Sequence, residues 1–76
     1  MKPKRRNVTG QNILSLRSAA SPKITQEDMV ARLARQGIEI NQSQMAKIES
    51  GDRPILDYEL AGIAKALKVQ VQDLFG

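Results

Sequence analysis

Apolar residues recur at helical spacing along most of this chain, and capping or terminating residues interrupt the pattern at defined places. Ile13 and Leu16, with Ala20 four further on, predict a first helix over about Thr9 to Ala20. Arg17 falls at the border of that stripe, and Leu14 faces outward. Ser21-Pro22 ends the helix, because the residue before a proline avoids the helical region. Thr25 caps a second helix, with Glu27 and Asp28 in the first turn complementing the positive helix end. Met29, Val30 and Leu33 form its inward face, Arg32 and Arg35 point elsewhere, and Gly37 closes it. Ile38 and Ile40, alternating with Glu39, predict a short extended loop whose isoleucines dip into the core. A small strand is the other reading, but nothing else in the chain offers it a partner.

Asn41 to Gly51, NQSQMAKIESG, predicts a third helix with a defined start and stop. Asn41 can cap it, Gln44 can reach back to the Asn41 amide as in a capping box, and Gly51 stands where a left-handed terminator is needed. Met45 and Ile48 mark a narrow inward stripe. Ala46 is expected where another helix comes close. That leaves Gln42, Ser43, Gln44 and Lys47 outside, uncharged or cationic and free of carboxylates. Gln can pair bidentately with adenine, Lys reaches guanine acceptors, and Ser tolerates either. Such a face suits a DNA major groove; taken alone, it is more often the face of a solvated helix.

Asp52-Arg53-Pro54 is a turn by composition. Leu60, Ile63, Ala64 and Leu67 then predict a fourth helix from Leu56 or Asp57, with Lys65 and Lys68 towards its C-terminal end and Tyr58 partly exposed. Val69, Val71, Leu74 and Phe75 predict a fifth, short element of one or two turns, mostly in the core. The fold class is therefore all-α, a compact bundle of five short helices that need one another to be stable.

Composition narrows the function. Seventy-six residues make one domain near the lower limit for an independent core. Cysteine and histidine are absent, which removes disulfides, thiol nucleophiles, Cys/His zinc sites and imidazole catalysis. Eight carboxylates without them offer no nucleophile–base pair, so no enzyme, metal or cofactor is expected. Tyr58 and Phe75 are the only aromatics, too few for base-stacking platforms. No run reaches the length of a membrane span and the charged start is no signal peptide, so a cytoplasmic protein is expected. The net charge of +4 comes from 12 basic and 8 acidic residues, and Lys2, Lys4, Arg5 and Arg6 carry the excess. Residues 1–8 thus read as a flexible basic arm able to neutralise phosphates, or as a solubilising tail.

The strings TQEDMVARL, NQSQMAKIESGDR, ELAGIAKALKV and DLF, with the opening GQNILSLR, resemble the helix-turn-helix domain of the phage-repressor and Cro type, the XRE family. The resemblance covers roughly residues 10 to 75. It implies a lambda-repressor-like bundle over 9–76, with the third helix in the major groove. By that resemblance Asn41, Gln42, Ser43 and Lys47 contact bases. Thr25, Gln26, Gln44 and Arg53 contact phosphate, as the arm's Lys4, Arg5 and Arg6 would. Arg17 and Glu49 match a partly buried structural salt bridge. Three departures stand out. The link between the second and third helices is about five residues longer than the usual turn. Val30 stands where alanine is general, and the link before the second helix is also longer. The expected function is a sequence-specific regulator of transcription, a repressor that binds double-stranded DNA as a homodimer without a small-molecule ligand. The alternative is a protein-interaction module of antitoxin or antirepressor type, to which exposed Leu14 and Leu56 would contribute.

Overall fold

A computed structural model of the chain describes residues 6–76. Four α-helices, α1 (Gly10–Ala19), α2 (Gln26–Ala34), α3 (Gln42–Ser50) and α4 (Asp57–Leu67), precede a short 3-10 helix, Val71–Phe75. The expected fifth helix is thus a 3-10 turn, and the described residues contain no strand. No helix among them is long and apolar enough to cross a membrane.

Ile13, Met29, Leu33, Met45, Ile48, Ile63 and Leu74 are fully buried, so every helix contributes to one core. Two expectations for the periphery are corrected. Val71 and Phe75 are exposed, because the tighter 3-10 turn directs only Leu74 inward. Ala46 is exposed on α3, one position past the Met45 stripe, rather than packed beneath another helix.

Capping explains most boundaries. The Thr25 hydroxyl accepts from the Asp28 amide at 3.0 Å, and the Asp28 carboxylate accepts from the Thr25 amide at 2.9 Å. Those bonds hold the Asp28 carboxyl below its ordinary pKa. Asn41 and Gln44 make the corresponding reciprocal pair on α3, at 2.7 and 2.9 Å. Gly51 ends α3 in the left-handed region, φ 87°, and its amide donates to the last carbonyls. At the start of α1 the bond comes from further upstream: Asn7 Oδ1 accepts from the Gly10 amide at 2.7 Å, while Thr9 Oγ1 is buried without a hydrogen-bond partner.

The long α2–α3 connection is packed rather than loose. Ile38 and Ile40 are buried and Glu39 is exposed between them. Ile38 Cδ1 lies where a Cβ on Gly62 of α4 would stand, and Gln36 donates to the Gly62 carbonyl at 2.9 Å. The lack of a side chain at Gly62 is what lets the lengthened turn dock on α4.

Candidate nucleic-acid interface

Helix α3 presents Gln42, Ser43, Ala46 and Lys47 on one exposed face, while Met45, Ile48 and Glu49 point inward. No side-chain hydrogen bond or ion pair engages Gln42, Ser43 or Lys47 among the described residues. Their amide, hydroxyl and ammonium groups are therefore available to an external partner. Asn41 is exposed too, but its Oδ1 is engaged by the cap, which leaves its amide N–H groups for outside contact. Gln44 is half-buried with its carbonyl committed to the same cap.

The tilt of α3 is set by what lies behind it. Arg17 of α1 is buried and reaches Glu49 through two bonds, Nε to Oε2 at 2.7 Å and Nη2 to Oε1 at 2.9 Å. Its Nη1 donates to the Ile24 carbonyl at 3.0 Å. Gln26, at the start of α2, donates to Glu49 Oε1 at 2.9 Å. One carboxylate on the inner side of α3 thus gathers α1 and α2. A buried carboxylate needs such company, since an unpaired one would be expensive to desolvate. Gln26 keeps a second amide N–H beside the free amides of the α2 N-terminus, an arrangement suited to an anion.

At the other end of α3, Asn7 Nδ2 donates to the Ile48 and Arg53 carbonyls at 3.0 and 2.7 Å, and the Arg6 amide donates to the Gly51 carbonyl at 2.7 Å. Arg6 and Asn7, expected within a free arm, are therefore tied to the body by these bonds. Lys4 and Arg5 lie outside the described residues. Gly10 sits so close to α3 that a Cβ there would collide with the Ile48 carbonyl.

Arg53 follows α3 in the loop and forks onto Glu59 of α4, Nη1 to Oε1 at 2.9 Å and Nη2 to Oε2 at 3.0 Å. Glu59 also accepts from the Leu56 amide at 3.0 Å, so it caps α4 as well. The Arg53 guanidinium, then the Leu56 amide, hold the Glu59 carboxyl below its usual range against the effect of burial. The same pairing raises Arg53. Arg53 retains further N–H groups, but its carboxylate partner offsets its charge.

Sequence reasoning brought Asn41, Gln42, Ser43 and Lys47 to one helix, and the structure places them at its start and along its outer face. It did not find the Asn7 clamp, the Gln26–Glu49 bond or the Arg53–Glu59 fork. Only the last had a legible signal, a Glu three residues after Leu56 at a helix start. No group of three or more His, Cys, Asp or Glu among the described residues could hold a metal ion.

Comparison with known proteins agrees with this geometry. The model of the Cro/C1-type HTH DNA-binding domain matches residues 19–76. No curated protein and no solved structure matches the chain. An all-helical body, a capped helix held outward behind its acid-free face, and a family match over most of the length lead to one statement: the chain belongs to the Cro/C1-type helix-turn-helix DNA-binding family.

Proposed function

We propose that the protein is a sequence-specific regulator of transcription, a repressor in the cytoplasm that reads the major groove of double-stranded DNA with α3. The observation that carries this is the unengaged outer face of α3, Gln42, Ser43 and Lys47, fixed from behind by Glu49. Asn41 joins them as a base contact through its amide N–H groups. Thr25, Gln26 and Gln44, beside the N-termini of α2 and α3, contact phosphate. Arg6 and Arg53 do so from the far end of α3, and Lys4 and Arg5 from the preceding segment. Phosphate contacts set position and the α3 side chains specify sequence.

Pairing of two copies on a two-fold site would supply the affinity that one small module lacks. Val8 and Phe75, both exposed, flank a hollow of about 200 Å3 also lined by Ile55 and Leu60, and this apolar area supports self-association. Selection of duplexes from a random pool tests the reading. A preferred sequence should emerge, and Lys47→Ala or Gln42→Ala should relax preference at one or two base pairs, by ~1–3 kcal/mol each. Enrichment of no sequence would overturn it.

The alternative, a protein-interaction module on the same scaffold, draws on exposed Leu14 and Leu56. Apolar pairing of that kind is insensitive to salt, whereas DNA binding weakens steeply as salt rises.

A further inference from the structure

The cations of the folded body are not where the α3 reading alone would put them. Arg17 and Arg53 are engaged by Glu49 and Glu59. Lys47 is the only cation on α3. Arg32, Arg35, Lys65 and Lys68 instead meet around one open hollow of about 340 Å3 where the C-terminal ends of α2 and α4 lie together. No carboxylate lines it. Asp28, one turn before Arg32, is held by Thr25 and offsets only the Arg32 charge.

A structural role accounts for part of this charge. Arg32 donates to the Ala66 carbonyl at 2.8 Å, and basic residues offset the negative ends of helices. The magnitudes leave a surplus. Two helix ends amount to roughly one negative charge, against four full positive ones. Arg35, Lys65 and Lys68 are exposed and make no ion pair among the described residues.

The seam also faces away from the reading helix. Val30 and Ala34 border the notch against α3, lined further by Ile40, Asn41 and Gln44. Arg32 and Gln36, each two residues later, bond to α4. Two residues turn a helix by ~200°, so α3 and the basic seam flank opposite sides of α2. A straight duplex lying on α3 does not cover the seam.

We propose that this seam is a second, sequence-independent contact for the phosphate backbone of duplex DNA, separate from α3. Its chemistry favours backbone over a small ligand. The hollow is open, its wall is as polar as it is apolar, and its free cations are long and exposed, whereas small-molecule sites are mostly apolar with a few fixed polar groups. Long cations without fixed geometry are what phosphate contacts use. The DNA at the seam is either flanking sequence of a bent site or a second duplex. The inference rests on the proposed function only for the duplex held by α3.

The test uses the full chain and the triple variant Arg35→Ala, Lys65→Ala, Lys68→Ala, which spares the Arg32 bond to α4. Three measurements are made: affinity for a short duplex that just covers the selected site, affinity for the same site with long flanks, and capture of an unrelated labelled duplex by a bead-tethered selected one. The variant should bind the short duplex within about twofold of the parent. It should lose ~10-fold or more on the flanked site or in capture, with a salt slope shallower by about 3. Loss on the flanked site identifies bent flanking DNA; loss of capture identifies a second duplex. Arg35→Lys with Lys65→Arg and Lys68→Arg should restore the lost binding, because only charge is required.

Equal weakening on the short duplex overturns the proposal, as does an unchanged flank effect and unchanged capture. One-to-one saturation by tripolyphosphate that duplex cannot displace overturns it too, in favour of a small-anion site. Should the parent prefer no sequence, the α3 reading fails by itself; salt-sensitive capture of any duplex that the triple variant loses would still support the seam.

Discussion

Glu59 ties the fold to pH. It is 3 % exposed, accepts two bonds from Arg53 and caps α4 through the Leu56 amide. Its folded pKa lies below the unfolded value, so the stability it contributes is complete above that unfolded value and is lost as pH falls through the folded one. Asp28 carries the same sign. Glu59→Gln should therefore lower stability at neutral pH by ~1–3 kcal/mol and flatten the acid limb of a urea-midpoint profile below pH ~5. An acid limb as steep in Glu59→Gln as in the parent would remove Glu59 from this account. At Glu49 the geometry predicts asymmetry between single and double changes. Arg17→Met alone leaves a buried carboxylate unpaired and should cost ~3–5 kcal/mol, whereas Arg17→Met with Glu49→Leu should recover much of that loss. Chemical denaturation of the four forms measures the difference.

Among the elements, the α2–α3 connection and the α1–α3 contact each hang on a missing side chain. Gly10 lies in the first turn of α1, where Ala would normally gain up to ~1 kcal/mol of helix propensity. Here the added Cβ meets the Ile48 carbonyl, which is backbone and cannot step aside. Gly10→Ala should thus be destabilising by ~1–3 kcal/mol, opposite in sign to propensity. Gly62→Ala meets Ile38 Cδ1, the far end of a side chain. Ile38→Val removes that atom, so the pair should be coupled: each change destabilises alone, and together they cost less than their sum by ~0.5 kcal/mol or more. Thermal melts of both singles and the double give the cycle; strict additivity would mean that the turn does not dock on α4 as described. The extra residues of the lengthened turn are held to the body by Ile38, Ile40 and Gln36.

For the whole molecule, charge is divided between two surfaces. The α3 face carries one cation and hydrogen-bonding groups, and the α2–α4 seam carries four cations and no acid. If α3 reads sequence, Lys47→Ala should change which duplex is chosen, while the seam variant should change how steeply binding falls with salt. Selected-pool sequencing and a salt titration separate the two. The charge count of the sequence could not show this, because it reports a neutral body; ion pairs engage Arg17 and Arg53, and folding gathers Arg32, Arg35, Lys65 and Lys68 at one seam.

The sequence by itself determined the order and ends of the helices, since caps, glycines and apolar spacing act over a few residues. Asn41, Gln44 and Gly51 bound α3 as their local chemistry requires, and Met45 and Ile48 face inward as their spacing demands. Local pattern also placed Gln42, Ser43 and Lys47 together. It failed at the margins: Val71 and Phe75 have the composition of a core, and only the tighter 3-10 turn left them outside. Contacts between residues distant in the chain were decided by tertiary structure alone. Asn7 bonds to a carbonyl 41 residues away, Gln26 to a carboxylate 23 away, and Arg32 to a carbonyl 34 away. Polar side chains carry no periodic signal of their partners, so which of them face solvent, hold a helix or gather at a seam follows only from how the helices pack.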